Sequence, residues 1–407
     1  MNKSSIIKSL KYFILFVAYP YWVVVQNISF YFYLYFLRQA NIGRLKMFSI
    51  NSPLSGFAIA FMAAAVISVL GAIYNFGGDN ALFSLKVLPN YLYWGILIIT
   101  LGNIVFKVVD ISFISKYITI GVILTIINFH FLSGLLGFIP FYSGTSKNAF
   151  AFINILFTPI ATSYIHTKYR NNYLTILCII LFTLSGFLSG SRSASLLVLS
   201  GCMLAWVIES WFKITMVLYL ILMVYLIAPT VLETPGVKKL ILNLNPRTYE
   251  LIYESDKTFA EDRSYLTRVA MIEKGMNIFN EYPIIGVGIG NFSNVTFHID
   301  FDFEGAEFIE RLSDELESKT NPHNSYISLL AEGGLVLILP ALLLMFYPIL
   351  FLIINFNKIP ANMKAYFIGI IFMDMHAWVI AGMINIYGWV LIGIVNSYII
   401  HRKSIST

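Results

Sequence analysis

Three short segments hold the residues of this chain that could do chemistry. Ser189-Gly190-Ser191-Arg192-Ser193-Ala194 lies between two apolar stretches, Arg268 sits on an amphipathic segment, and Pro322-His323-Asn324-Ser325 opens a further apolar stretch. An arginine at the centre of a membrane helix costs about 2.5–3.5 kcal/mol on insertion scales. Arg192 therefore belongs at a membrane edge, in a polar cavity or on an anionic ligand. The small residues around it leave room for a ligand and offer hydroxyl and backbone donors. A planar guanidinium donates two parallel hydrogen bonds and suits a phosphate. A topology anchor would occupy the same position, and the segment alone does not separate the two readings.

His323 precedes Asn324, a residue type suited to cap the helix that starts there. Beside a helix N-terminus the positive end of the dipole favours a neutral imidazole. Near pH 7 a neutral imidazole can take a proton from a hydroxyl. A capping or interfacial histidine is the plainer alternative. Glu332, inside the same apolar stretch and just before Gly333-Gly334, could orient a partner or neutralise an arginine. Asp374 and His376 form a second polar spot in a later stretch and read as structural.

The elements that must position these groups are membrane helices. The 407 residues are 58% hydrophobic and 12% charged, with mean hydropathy +0.76; soluble domains carry about 25% charged residues. Phe (34) and Tyr (25) are abundant, as membrane interfaces favour. Cys178 and Cys202 each lie inside an apolar stretch, so packing is expected and a disulfide is not. The first apolar run, 12–37, is long and aromatic-rich with no small-residue cleavage site after it, so it is expected to stay in the membrane.

A spanning helix needs about 20 mostly apolar residues. Candidates are 54–73, 90–109, 113–135, 149–166, 172–190, 193–210, 212–230, 326–355, 364–382 and 384–400. Lys168 and Arg170, Lys213, Lys358 and Lys364, and Arg402 and Lys403 mark cytoplasmic turns under the positive-inside rule. The turn at 190–193 and the loop 230–325 then face out. If 5–37 is a tight helical hairpin, the chain has twelve spans with both ends inside; if 12–37 is one tilted span, it has eleven. The expected fold is an all-α polytopic membrane protein, with helices over 1–230, a long periplasmic loop over 231–325 and further helices over 326–407. Pro20, Pro159 and Pro348 fall within spans, where they can kink them.

Charge supports this division. Residues 230–325 hold 9 Lys/Arg against 16 Asp/Glu, and the rest of the chain holds 18 basic and 5 acidic residues. The basic residues are scattered over short loops and form no stripe, so nucleic acid is not expected as a partner. Within the loop, Tyr265, Val269, Ile272, Met276 and Phe279 recur at spacings of 4, 3, 4 and 3, which predicts a helix over 264–280. It would lie on the outer membrane surface or over the mouth of the bundle. Glu273 and Lys274 fall away from its apolar stripe, and Arg268 sits at the stripe's edge, where a snorkelling surface arginine would also sit.

Tyr282-Pro283-Ile284-Ile285-Gly286-Val287-Gly288-Ile289-Gly290-Asn291-Phe292 follows. Its alternating glycines let the backbone pass close to something. The spacing is not a dinucleotide fingerprint, and a tight re-entrant turn is favoured over ligand contact. The acidic run 300–317 could hold a hard cation, but it has no calcium-loop pattern and reads as a solvated face. No metal and no cofactor are expected.

In order along the chain, the Ser-Gly-Ser-Arg-Ser turn, the Arg268 helix running into the glycine motif, and His323-Asn324-Ser325-Tyr326-Ile327-Ser328-Leu329-Leu330-Ala331-Glu332-Gly333-Gly334-Leu335 resemble the O-antigen ligase and polymerase family of bacterial envelope glycosyltransferases. The resemblance covers about 145–340, with Gly144-Thr145-Ser146-Lys147-Asn148 also fitting. It implies a metal-independent enzyme at the outer, periplasmic face of the bacterial inner membrane. Its donor is a glycan on undecaprenyl diphosphate, and its acceptor is another glycan, lipid A-core or a protein. A chain-length regulator is a further candidate partner.

The resemblance maps the family's functional arginines onto Arg192 and Arg268 and its histidine onto His323. Both arginines would stabilise charge growing on the departing diphosphate, and His323 would orient or deprotonate the acceptor hydroxyl. Arg263 is an alternative to Arg268. Arg247, Lys238 and Lys239 are weaker phosphate candidates. Ser191, Ser193, Asn324 and Glu332 complete the candidate substrate-binding set. The Ser-Gly-Ser-Arg-Ser-Ala form of the turn favours a repeat-unit polymerase over a ligase. A transporter or flippase for lipid-linked sugars would instead place polar residues near the midplane of several spans.

Overall fold

The computed structural model describes residues 49–108, 110–132, 147–189, 191–208, 215, 219, 232–244, 246–253, 263–295, 324–378 and 386–405. Every regular element among them is helical. The chain is an all-α polytopic membrane protein. The helices are α1 (Pro53–Phe76), α2 (Gly78–Val108), α3 (Ile111–Ile127, continued by a π turn over Asn128–Leu132), α4 (Lys147–Tyr169), α5 (Asn172–Leu188) and α6 (Arg192–Val207). After them come α7 (Pro235–Leu244), α8 (Pro246–Tyr253), α9 (Arg263–Glu281), α10 (Ser325–Asn355), α11 (Ala361–Ala377) and α12 (Ile386–Ile405). By length and hydropathy, four helices among the described residues can cross a membrane: α1, α2, α3 with its π turn, and α10 with the turn after it. The shorter apolar helices Asn172–Leu188 and Ala194–Val207 join them. The stretches 12–37, 212–230 and 300–317 lie outside the described residues.

The helices form two compact units, each assembled from segments distant in sequence. The first takes in Phe106–Glu250 and Phe351–Met373. Here α4 packs on α3, α5 and α6, and α5 packs on α6. Gly186 makes the α5–α6 contact close: a Cβ there would sit 3.3 Å from the backbone of Ala194 and Ser195. The Ser115 and Tyr366 hydroxyls pair at 2.9 Å in this unit's interior. Cys178 and Cys202 are free thiols, as the sequence predicts.

The second unit takes in Lys46–Val105, Leu251–Leu350 and Asp374–Thr407. Its core holds stacked and tilted aromatic rings: Phe61 of α1 lies 5.6 Å from Tyr91 of α2 and 5.3 Å from Trp389 of α12, and Trp94 lies 5.6 Å from Trp389. Asn396 bonds Ser52, Ser55 and the Ile98 carbonyl across the same three helices. Such polar ties suit an interior that cannot rely on water to satisfy amides. On α10, Leu335, Leu339, Leu343, Phe346 and Leu350 are exposed at helical spacing. One continuous apolar face is left open, as lipid contact requires and water would penalise.

Pro159 and Pro348 lie within α4 and α10 as the sequence suggests. The backbone break in α10, however, is at Gly334, with φ 57° and ψ −158°. That conformation is open almost only to glycine.

Candidate active site

In the first unit, α5 ends at Ser189, whose hydroxyl donates to the Gly186 carbonyl at 2.7 Å and accepts the Ser191 N–H at 3.3 Å. This local wrapping turns the chain tightly enough for Ser191 to stand at the N-cap of α6, with Arg192 as the helix's first residue. Ser191 is buried and makes no side-chain capping bond. A cation in a helix's first turn opposes the dipole, which favours negative charge there by about 0.3–1 kcal/mol. Arg192 therefore works against helix stability. Ser193 follows it on the same turn.

In the second unit, Arg268 lies on α9, which runs from Arg263 to Glu281 much as the periodicity predicts. The most buried positions are not those of the apolar stripe. Thr267, Ala270, Met271, Lys274 and Ile278 are buried, whereas Met276 is 37% exposed. At 100° per residue these buried positions centre roughly 150° from the stripe of Tyr265, Val269, Ile272, Met276 and Phe279. Met271 and Ile278 join the core from this face, while Val269, Ile272 and Phe279 of the stripe are half-buried. Lys274, expected to point outward, is fully buried with its ammonium 5.1 Å from the Phe292 ring centroid. Arg263 and Arg247 are placed on α9 and α8 respectively, and Lys238 pairs with Glu233 on the surface at 2.6 Å.

The glycine motif is a turn clasped onto α10, as the plainer reading held. Because α10 breaks at Gly334, backbone groups of the flanking residues lose their helical partners, and the clasp takes them up. Val287 N–H donates to the Ala331 carbonyl at 3.1 Å and Gly288 N–H to the Glu332 carbonyl at 2.8 Å. In return, Leu335 N–H donates to the Pro283 carbonyl at 2.9 Å and Val336 N–H to the Ile284 carbonyl at 3.0 Å. Irregular backbone is tolerated in a membrane protein only when satisfied in this way. Gly286, Gly288 and Gly290 all have positive φ. The Asn291 amide ties the clasp to α2, donating to the Ser84 hydroxyl at 2.9 Å and the Asn80 carbonyl at 3.0 Å.

Glu332 completes the clasp. Its carboxylate is buried and accepts the Phe292 N–H at 3.4 Å, with the Gly290 N–H also contributing. These backbone bonds are the contacts of its carboxylate among the described residues. Asn324 is buried and its side chain accepts the N–H groups of Tyr326 and Ile327 at 3.0 and 3.1 Å. It is the expected N-cap of α10. His323 lies outside the described residues.

Sequence reasoning set Asp374 and His376 apart from the site. Both are buried in the last turn of α11, in the second unit. The Arg268 guanidinium acts electrostatically on the His376 imidazole, and the Tyr326 hydroxyl donates to the Asp374 carbonyl at 3.2 Å. The frame of α9, clasp and α10 therefore brings Arg268 and the first turn of α10 to the end of α11. A sequence signal existed, since ionisable residues in apolar helices mark function by default, but their partners were not visible.

Residues 176–342 match the family model described as O-antigen ligase. The match opens in α5 and closes in α10, spanning the three chemistry-bearing segments. This region is an O-antigen ligase family domain. The chain is accordingly a polytopic membrane protein that carries a region similar to O-antigen ligases. Among curated proteins, none matches the chain.

Proposed function

We propose that this O-antigen ligase family protein polymerises surface-polysaccharide repeat units carried on undecaprenyl diphosphate, at the periplasmic face of the bacterial inner membrane. The observation that carries the reading is Arg192 at the N-terminus of α6, a cation placed where helix stability disfavours one. An acceptor sugar hydroxyl attacks the anomeric carbon of the donor glycan. Its O–H proton passes to His323, the bond from the anomeric carbon to the diphosphate oxygen breaks, and undecaprenyl diphosphate leaves with the electron pair. Arg192 and Arg268 stabilise the charge that develops on the departing diphosphate. The chemistry needs no metal, because the leaving group is already ionised and the guanidinium forks supply the positive charge.

The acceptor separates the two members of the family. In a polymerase it is another lipid-linked glycan; in a ligase it is lipid A-core or a protein. The protein is expressed in a host deleted for its own polymerase and supplied with the cognate glycan cluster, and surface polysaccharide is resolved on a gel. Restoration of a ladder from a single-repeat background supports the polymerase. Full-length glycan that moves from the lipid carrier to lipid A-core, with no effect on chain length, supports the ligase instead.

A further inference from the structure

We propose that Asp374 is a sugar-recognition residue, its carboxylate accepting hydroxyl hydrogen bonds from the glycan handled beside Arg268. This inference rests on the glycosyltransferase reading above and names a specificity group for it.

Asp374 is 4% exposed, and neither of its carboxylate oxygens has a hydrogen-bond partner among the described residues. Burying a carboxylate is costly unless donors surround it. A carboxylate kept for structure would spend its lone pairs on neighbouring donors, as Glu332 does on Phe292. At Asp374 the nearby donor goes elsewhere: the Tyr326 hydroxyl bonds the backbone carbonyl of Asp374 at 3.2 Å. The carboxylate is nevertheless close enough for its charge to act on that phenol. Its lone pairs are thus unspent on any described residue.

The surroundings say what group would use them. The Tyr326 ring stands 4.9 Å from the ring of Trp378, one helical turn beyond Asp374, and Trp378 is 61% exposed. An open aromatic face beside an unspent carboxylate matches a sugar ring, which offers an apolar C–H face and a rim of hydroxyl donors. A cation would ask for several oxygen ligands, and among the described residues no group of three candidate ligands includes Asp374. His376, two residues on, feels the charge of Arg268, so the last turn of α11 lies near the arginine assigned to the diphosphate. Tyr326 belongs to the first turn of α10, which follows directly after His323 in sequence.

The test uses the full-length protein in nanodiscs and undecaprenyl diphosphate-linked oligosaccharide extracted from a polymerase-deleted strain of the source bacterium. Release of undecaprenyl diphosphate is followed against glycan concentration. Wild type that releases none overturns the glycosyltransferase reading itself, and this inference with it. With active wild type, Asp374→Asn and Asp374→Ser are expected to raise KM for the lipid-linked glycan roughly tenfold or more. Turnover at saturation should fall far less, and the melting temperature should hold or rise. Trp378→Ala, at an exposed ring with little structural cost, should raise KM in the same way, and Trp378→Phe should restore it. Unchanged KM in both Asp374→Asn and Trp378→Ala overturns the assignment. So does a loss of turnover that tracks a lowered melting temperature in the Asp374 variants while Trp378→Ala keeps the wild-type KM.

Discussion

The Glu332 carboxylate accepts the Phe292 backbone N–H at 3.4 Å across the gap between the glycine clasp and α10. The two residues are separated by 40 positions in sequence, and their bond closes the end of the clasp over the helix break. Glu332 thus holds together the frame that carries Arg268.

If that is its role, Glu332→Gln should keep nearly all activity, because the amide oxygen still accepts the N–H groups. Glu332→Leu should leave buried donors unsatisfied at a cost of about 1–3 kcal/mol. A lowered melting temperature for the leucine variant alone, measured on detergent-purified protein, is the expected result. Loss of activity in Glu332→Gln at full stability would assign the carboxylate to the chemistry instead.

The clasp also depends on glycines that cannot be replaced. Gly334 has φ 57° and ψ −158°, and a Cβ there would fall 2.5 Å from the Ile284 carbonyl. Gly286, at φ 64°, faces the backbone of Glu332 and Gly333. Each alanine variant should cost at least about 1–3 kcal/mol and reduce the monodisperse fraction on size-exclusion chromatography. Gly236→Ala is the control: no atom lies within 4 Å of its added Cβ, and in the first turn of α7 it should leave stability within about 0.5 kcal/mol of wild type.

Gly275 sets how closely α9 approaches the first turn of α10. A Cβ at this position would collide with the Ile327 side chain. Gly275→Ala should push Arg268 away from its partners and lower turnover by about tenfold to a hundredfold, the penalty of roughly an ångström of misplacement. Adding Ile327→Ala should restore much of the loss, a coupling that a double-mutant cycle reads directly. Additive effects in that cycle would show that the two residues do not set the spacing.

Much of this was legible in the sequence. Apolar length located α1, α3 to α6 and α10 to α12 within a few residues, because a helix that must satisfy its own backbone in lipid leaves a long hydropathy signal. The periodicity that predicted a helix over 264–280 found α9, but the residues that pack it against the protein were not visible in it. In water the apolar stripe of an amphipathic helix turns inward. Here Thr267, Ala270, Met271, Lys274 and Ile278 are buried, and Val269, Ile272 and Phe279 of the stripe are half-buried. The break at Gly334 was likewise hidden, since the clasp that satisfies it comes from residues far away in sequence. Asp374 and His376 could be seen as polar residues in an apolar stretch, but their ties to Tyr326 and Arg268 are tertiary.

The guanidinium fork itself is open to a conservative test. Arg268→Lys keeps the positive charge but loses the paired, planar donors, and phosphate recognition depends on both. Turnover of lipid-linked glycan should fall by about 10²-fold, the order seen when one preorganised donor to developing charge is lost. Wild-type turnover in the lysine variant would reduce the role of Arg268 to general positive charge.

The central claim is that Arg192, Arg268 and His323 together carry glycan transfer from the lipid carrier. The most direct measurement is the surface-polysaccharide gel in the polymerase-deleted, complemented host, with Arg192→Ala, Arg268→Ala and His323→Ala at matched membrane levels. The account predicts a full ladder for wild type and collapse to a single repeat unit for each variant. A wild-type ladder in all three would contradict it.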